Sequence, residues 1–155
     1  MAGSGKSTVG VVLAKALGLQ FVDTDLLLQQ KMGERLQQTI DTKGIDGFLK
    51  AEEEVLCSLT LENHVIATGG SAVISEKAME NLKKNAITVF LDVPLKELKN
   101  RITNMTCRGI AMNKDDSFES VYTSRLPLYL KFSDITVSVG KKSLEETVNL
   151  ILENI

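Results

Sequence analysis

Gly3-Ser4-Gly5-Lys6-Ser7-Thr8, at the beginning of the chain, is the stretch that decides the fold. Its order matches the end of the phosphate-binding pattern G-x-x-x-x-G-K-[ST], in which glycines let backbone N–H groups point at phosphate oxygens. Lys6 would supply positive charge to the β- and γ-phosphates of a nucleotide, and Ser7 would offer its hydroxyl to Mg²⁺ where a helix begins. The stretch therefore predicts a nucleotide and magnesium site formed by Gly3, Ser4, Gly5, Lys6, Ser7 and Thr8.

The pattern is incomplete at its amino end. Its first glycine would lie one residue before Met1, and no strand precedes the loop as one usually does. The two interpretations are a shortened chain and a start assigned downstream of the real one. In both, the first strand of a central parallel sheet is missing, so we expect lower stability and a less rigid phosphate loop.

Length and composition predict one globular domain over residues 1–155, with 43% hydrophobic and 25% charged residues. A net charge of −2 argues against a nucleic-acid partner. The sequence shows neither a long apolar run nor a signal peptide, which predicts no membrane association and a cytoplasmic location. Cys57 and Cys107 have no metal-ligand spacing, so free thiols are the simpler interpretation and a disulfide is the alternative.

Apolar segments alternate between strand-like and helix-like patterns along the chain. This alternation predicts an α/β fold with three layers, in which helices cover both faces of a parallel sheet. The predicted strands are 19–23, 64–68, 86–91 and 135–139. The predicted helices are 7–17, 25–31, a short one within 32–44, 45–61, 75–83, 94–104, 118–132 with an interruption near Pro127, and 144–155. Glu52, Glu53 and Glu54 are interpreted as an acidic first turn of their helix.

Two carboxylates, Asp23 and Asp25, directly follow the first predicted strand. Ligands of open α/β sheets bind at the carboxyl ends of strands, where these side chains would meet the phosphate loop. One carboxylate would hold Mg²⁺ through water, and the other would accept a proton or hydrogen bond from an attacking hydroxyl. The alternative is a pair of helix-capping aspartates, and the two interpretations are compatible.

Gly69-Gly70 ends the next strand, where paired glycines allow a ligand to approach the backbone closely or form an ordinary turn. Three arginines, at positions 101, 108 and 125, are candidates for bidentate binding of phosphate or carboxylate. Arg108 lies in a polar, glycine-containing segment that would serve as a lid. The alternative for each arginine is an ordinary solvated side chain.

In this order the motifs resemble those of the shikimate kinase family over essentially the whole chain. The matching segments are Gly-Ser-Gly-Lys-Ser-Thr-Val-Gly at 3–10, Phe-Val-Asp-Thr-Asp at 21–25, Gly-Phe at 47–48, Glu52-Glu53, Val-Ile-Ala-Thr-Gly-Gly at 65–70, Val-Phe-Leu-Asp-Val-Pro at 89–94, Arg108, and Arg-Leu-Pro-Leu-Tyr at 125–129.

The resemblance implies a CMP-kinase-like fold with a lid at about 105–117 and a substrate-binding helical region at about 25–61. It implies a monomer that uses ATP and Mg²⁺ to phosphorylate a hydroxyl of shikimate, giving shikimate 3-phosphate in aromatic amino-acid (chorismate) biosynthesis. The implied catalytic residues are Lys6, Asp25 and Arg108. The implied ATP-binding residues are those of the phosphate loop together with Arg101, which would stack on the adenine, and Arg108. The implied substrate ligands are Asp25, Gly69, Gly70 and Arg125, and the implied metal ligands are Ser7 and Asp23.

Three positions depart from the family pattern. Leu49 replaces an arginine that grips the substrate carboxylate, Ser71 replaces a third glycine, and Gly109 replaces a proline after the lid arginine. These changes leave two alternatives open. One is a kinase of another small alcohol, such as homoserine, and the other is a catalytically degenerate nucleotide-binding regulatory domain.

Overall fold

The computed structural model describes residues 1–102, 109–113 and 115–155, in which helices and strands alternate. The strands are β1 (Gln20–Asp23), β2 (His64–Ala67), β3 (Val89–Asp92) and β4 (Ile135–Ser138). The helices are α1 (Lys6–Leu17), α2 (Thr24–Met32), α3 (Leu36–Cys57), α4 (Glu76–Lys83), α5 (Leu95–Arg101), α6 (Phe118–Phe132) and α7 (Leu144–Leu152). A short 3₁₀ helix spans Ala72–Ile74.

Glycines mark both ends of α1. Gly5 precedes the helix with φ 90° and Gly18 follows it with φ 69°, backbone conformations that glycine adopts without steric cost. Val9 and Leu13 lie on the buried face of α1, which contacts β1, β2 and α7. Burial of this face fixes the direction of α1, and therefore the position of the phosphate loop at its amino end.

The strands form two parallel pairs, β1 with β2 and β3 with β4. In the first pair Asp23 lies opposite Ala67, and in the second Asp92 lies opposite Ser138, so the carboxyl ends of paired strands are level. Helices α1 and α7 contact each other and cover one side, while α3, α4 and α6 surround the 3₁₀ helix. Parallel pairs between helical layers agree with the predicted α/β class.

A cavity of about 520 Å³, here called the inter-strand groove, lies between β2 and β3. Apolar side chains from both strands line it, among them Val65 and Val89, and Met1 lies at its wall. No strand of the described residues lies between β2 and β3.

Two local predictions are wrong and a third is confirmed in part. The two helices expected over 32–61 are the two halves of α3, divided at the non-helical Gly44 (φ 70°, ψ 176°), but the second half ends at Cys57 and not at 61. Helix α6 continues through Pro127, because its buried residues hold it against the core although proline removes one hydrogen bond. Glu52 does not belong to an acidic first turn, since it lies about two helical turns beyond the kink at Gly44 and its side chain is buried.

Within the described residues, no helix combines the length and the apolar character needed to cross a membrane. The described part of the predicted lid comprises residues 109–113 and 115–117, and Ile110 and Ala111 within it are buried. Residues 105–108 and 114 of that prediction, which include Arg108 and Cys107 of the predicted thiol pair, fall outside the described residues. Cys57 is a free thiol, as predicted.

The hydrogen bonds at the strand ends show which residues face the groove. Gln20 N–H donates to the carbonyl of Asn63, and Ile135 N–H donates to the carbonyl of Thr88. Along a strand, successive residues present their backbone groups to opposite edges. The residues directly after Asn63 and Thr88 therefore turn their amides toward the inter-strand groove.

We predict different amide hydrogen exchange for neighbouring residues of the same strand. The amides of Val65 and Phe90 form hydrogen bonds within the strand pairs, whereas those of Ile66, Val89 and Leu91 face the inter-strand groove. We expect the first set to exchange at least about tenfold more slowly than the second. Exchange measured by NMR on the intact chain tests this. Equal protection of neighbours would mean that the groove edges are hydrogen-bonded in solution.

Candidate active site

A second cavity, of about 430 Å³, lies at the carboxyl ends of β1 and β2. It is bordered by the phosphate loop, the start of α2, the turn after β2, and residues of α5 and α6. Of the predicted site residues it brings together Gly3, Gly5, Lys6, Ser7, Thr8, Asp25, Gly70, Arg101 and Arg125. This cavity is called the active-site pocket below.

The phosphate loop depends on its glycines. Gly3 has φ 77°, and a Cβ there would lie 2.8 Å from a side-chain carbon of Ile102, so both conformation and space require glycine. Gly5 leads directly into α1, whose amino end carries the partial positive charge that favours anions. Ser4 is the exception among the loop residues, because its side chain is buried beside the inter-strand groove and its hydroxyl has no partner in the described structure.

Lys6 is the cation at the centre of the loop. Its Nζ donates a 2.8 Å hydrogen bond to the backbone carbonyl of Met1. Burial lowers the pKa of Lys6, and the charges of Asp25, Asp23 and Glu52 oppose that effect. The three carboxylates therefore help to keep the ammonium group charged next to the pocket.

Ser7 and Asp23 form the predicted magnesium pair. The Ser7 hydroxyl donates a 2.5 Å hydrogen bond to Oδ2 of Asp23, whose Oδ1 accepts from the backbone N–H of Asp25 at 3.0 Å. Asp23 thus also caps α2, which confirms the helix-capping interpretation for this residue, while its role in binding Mg²⁺ stays a prediction. Two adjacent hard oxygen donors suit Mg²⁺, which takes few protein ligands and leaves its other positions to phosphate and water. Among described residues, no cluster of three or more His, Cys, Asp or Glu side chains forms an all-protein metal cage.

Asp25 places a carboxylate on the wall of the active-site pocket. Burial raises the pKa of Asp25, the nearby charge of Asp23 raises it further, and Lys6 acts in the opposite direction. A carboxylate whose pKa is raised accepts a proton more readily than one in water. The geometry therefore suits the predicted contact with an acceptor hydroxyl.

Gly69 and Gly70 lie at different depths relative to the active-site pocket. Gly70 lines the pocket, and its carbonyl accepts hydrogen bonds from the Tyr129 hydroxyl at 2.6 Å and from Arg125 at 3.3 Å. Gly69 lies beneath the pocket wall, where its N–H donates to the Thr24 hydroxyl at 3.2 Å. A Cβ at Gly69 would overlap Oε1 of Glu52 and lie 2.8 Å from Oδ1 of Asp25.

Arg125 is a buried cation, with 6% of its surface exposed. Besides Gly70, its guanidinium donates to the carbonyl of Ala111, which ties α6 to the segment after Gly109. Tyr129, one turn later on α6, stacks on Phe90 of β3 with ring centroids 5.0 Å apart. These contacts fix the guanidinium at the edge of the pocket.

Arg101 lies at the pocket rim, where it bonds to Glu97 at 3.3 Å and to the carbonyl of Gly140 at 3.2 Å. Its predicted stacking on adenine stays a prediction. Leu49 is absent from the pocket lining and packs instead against the apolar cluster that contains Leu28 and Phe48. The side chain at position 49 therefore supplies no charge to the pocket.

Sequence reasoning missed Glu52. This side chain is 4% exposed, and burial raises its pKa to about 7, with Asp25 adding to the rise and Ser71, Arg125 and Lys6 opposing it. Helical spacing offered a signal, because Glu52 lies four residues after the buried Phe48 and three before the buried Val55. Position 52 therefore falls on the buried face of the helix, whereas Glu54 is exposed.

A family model described as shikimate kinase matches residues 2–155. The chain belongs to the shikimate kinase family. It is 32% identical over 154 residues to the shikimate kinase of Vibrio vulnificus, covering 97% of this chain and 90% of that protein. A shikimate kinase of Francisella tularensis is also 32% identical over 154 residues, with 96% and 87% covered.

Solved shikimate kinases share the fold. The Acinetobacter baumannii shikimate kinase, solved in complex with shikimate, superposes with a TM-score of 0.90 at 28% identity and covers 98% of this chain and 87% of that one. The Aquifex aeolicus shikimate kinase gives a TM-score of 0.82 at 34% identity, with 99% and 90% covered. The predicted shikimate kinase family and the predicted α/β fold are confirmed, while the roles of individual residues stay predictions.

Substitution of Gly69 by alanine tests the packing beneath the pocket. The added Cβ should displace the carboxylates of Glu52 and Asp25 and so lower kcat/KM by about tenfold or more. Gly69 does not have a positive φ, so backbone strain is not part of the expected effect. Steady-state kinetics and the unfolding temperature check this, and unchanged kinetics in a folded variant would contradict it.

Proposed function

We infer that the protein transfers the terminal phosphoryl group of ATP to a hydroxyl of shikimate, giving shikimate 3-phosphate. The observation that carries this inference is one pocket on which the phosphate loop, Asp25 and Arg125 converge. A nucleotide, an acceptor hydroxyl and a substrate carboxylate each have a matching group there. Membership of the shikimate kinase family supports the same reaction.

The nucleotide is assigned to the phosphate loop. Backbone N–H groups at the amino end of α1 would surround the β- and γ-phosphates, and Lys6 would move its ammonium group from the Met1 carbonyl to the phosphate oxygens. We propose that Ser7 and Asp23 hold Mg²⁺, directly or through water. When bound, the ion neutralises charge on the phosphates.

The acceptor hydroxyl is assigned to Asp25. Its buried carboxylate, with a raised pKa, would orient the hydroxyl and accept its proton as the new bond to phosphorus forms. Because phosphoryl transfer needs little covalent participation by protein groups, positioning and charge stabilisation account for most of the rate enhancement. The proposal keeps Arg108 as a lid arginine, a role assigned by sequence alone.

The carboxylate of shikimate is assigned to Arg125. Position 49 provides no second cation, so the substrate carboxylate would depend on one buried guanidinium that also holds two backbone carbonyls. A charge-assisted contact of this kind contributes about 1.5–3 kcal/mol. On the family resemblance, we propose that the protein acts as a monomer.

A coupled ADP-release assay with Mg·ATP, supplied with shikimate and with homoserine in parallel, tests the reaction. Phosphorylation of shikimate with little turnover of homoserine is the expected result. Turnover of homoserine alone would replace the proposed acceptor. Binding of ATP without turnover of either alcohol would favour a regulatory domain.

Replacing Lys6 with alanine or Asp25 with asparagine should lower kcat strongly. The first change removes positive charge next to the phosphates and should cost about 10²–10³-fold. The second removes the proton acceptor and should cost about 10²–10⁴-fold. Both variants should keep the native circular dichroism spectrum, because neither side chain belongs to the apolar core.

Matched controls exist on the same protein. Lys15→Ala removes an exposed lysine from α1, and Asp46→Asn removes an exposed aspartate from α3. Both should keep wild-type kcat. Full turnover by Lys6→Ala or by Asp25→Asn would refute the assignment of that residue.

Arg125→Lys should raise KM for shikimate by about tenfold to a hundredfold, since lysine keeps the charge and loses bidentate geometry. KM for ATP should change little, because Arg125 is assigned to the other substrate. Arg35→Lys, at an exposed arginine outside the pocket, provides the control. An unchanged KM for shikimate in Arg125→Lys would place the carboxylate elsewhere.

A further inference from the structure

Glu52 is a buried carboxylate that the proposed reaction does not use. Its side chain is 4% exposed, and its Oε1 has no hydrogen-bond partner in the described part of the chain. A buried polar atom without a partner costs free energy, so a structure that retains one calls for a functional explanation. The position of this carboxylate next to the pocket provides one.

The groups that face Glu52 come from three helices. Lys6 belongs to α1, Asp25 to α2, and Arg125 and Tyr129 to α6; each interacts electrostatically with Glu52. Oε1 lies against the α carbon of Gly69, next to the carboxylate of Asp25. Two carboxylates and two cations therefore lie close together beneath and around the pocket wall.

Neither cation is bound to Glu52. Lys6 donates to the Met1 carbonyl, and Arg125 donates to the carbonyls of Gly70 and Ala111. The adjacent residues on α3 have other partners, since Glu53 accepts from Ser75 and Glu54 pairs with Lys31. Among residues 1–102, 109–113 and 115–155, the charge of Glu52 therefore has no ion-pair partner of its own, and it acts on the same cations that would attract an anionic substrate.

We propose that Glu52 is a positioning residue whose proton controls how tightly the pocket holds an acidic substrate. When Glu52 is neutral, the positive charge of Arg125 is available to the substrate carboxylate. When Glu52 is ionised, it competes for that positive charge and repels the carboxylate. The proposal rests on the proposed function, because it takes the substrate to be the carboxylic acid shikimate.

The direction of the pH dependence follows from the burial of Glu52. Burial raises its pKa to about 7, so the group is mostly neutral below that pH and ionised above it. A bound substrate that excludes water and adds a negative charge would raise the pKa of Glu52 further. Binding would then take up a proton, and affinity would fall by as much as about tenfold for each pH unit above 7.

The other titratable groups that face Glu52 would not make KM for shikimate rise with pH. Burial raises the pKa of Tyr129 to about 12, so it stays neutral between pH 6 and 9. Asp25 also has a raised pKa, but its predicted contact with the acceptor hydroxyl assigns its ionisation to kcat. Arginine stays charged throughout this range. A change in KM for shikimate without a parallel change in kcat is therefore the signature of Glu52.

The test is steady-state kinetics between pH 6 and 9 with the intact protein, varying shikimate at saturating Mg·ATP and ATP at saturating shikimate. We expect KM for shikimate to rise steeply above pH 7, with KM for ATP and kcat nearly constant. Glu52→Gln should remove the rise, because glutamine has no proton to lose in this range. Glu53→Gln, the adjacent residue on α3, should keep the wild-type profile.

A second measurement needs no substitution, which matters if Glu52→Gln does not fold. The methyl ester of shikimate carries no charge, so its KM with the wild-type protein should not rise above pH 7. Calorimetry of shikimate binding at pH 8, in buffers of different ionisation enthalpy, should show uptake of up to one proton. A flat KM for shikimate from pH 6 to 9, or a wild-type slope retained in Glu52→Gln, would overturn the proposal.

The two proposals fail in different ways. Turnover of shikimate with a KM that does not depend on pH would overturn the role of Glu52 and leave the reaction intact. Absence of turnover at every pH would count against the reaction. If calorimetry then detected no binding of shikimate, the role of Glu52 would be overturned as well.

Discussion

The parallel register between β1 and β2 is the constraint on which the site depends. Because Asp23 lies opposite Ala67, the two strands end at the same level, and the segments that follow them meet. The hydrogen bond from Gly69 N–H to the Thr24 hydroxyl joins these segments directly after the sheet. A shift by one residue would turn every side chain of β1 to the opposite face and would separate Asp25 from Gly69.

Packing of helices onto these strand ends brings opposite charges together with little water. Lys6 comes from α1, Asp25 from α2, Glu52 from α3 and Arg125 from α6, so each elementary charge is fixed by a different helix. Burial shifts the pKa of Lys6 downward and those of Asp25 and Glu52 upward, which means that the charged form of each of these three side chains is costly. These four side chains comprise two cations and two carboxylates. A phosphorylated ligand and an acidic substrate would both add negative charge to this group.

The sequence predicts the elements whose signals are local. Gly5 and Gly18 mark the ends of α1, and Asp23 and Asp25 follow a short apolar strand, so helix, strand and carboxylates were located from neighbouring residues alone. The family resemblance then supplied the reaction and the expected role of each side chain. Gly44 is likewise a local signal, because the boundary predicted there between two helices coincides with the non-helical residue that divides α3.

The remaining features depend on tertiary packing, which no local pattern contains. The sequence pattern favours an acidic first turn for Glu52, because its burial depends on α3 packing against the turn at Gly69. Pro127 predicts an interruption, yet the helix around it is held by the buried residues Arg125 and Tyr129. Arrangement of the strands as two separate pairs is also a tertiary property, since each strand pattern reads the same in one sheet or two.

Gly44 has a mechanical consequence. Its non-helical backbone divides α3 into two rods that need not turn together. The first rod begins at Leu36, which lies directly against Gly109, and the second carries Glu52. A swing of the first rod about Gly44 would carry the segment after Gly109 along with it and pull on the carbonyl that Arg125 holds. The glycine thus links the shape of one wall of the pocket to the placement of its buried cation.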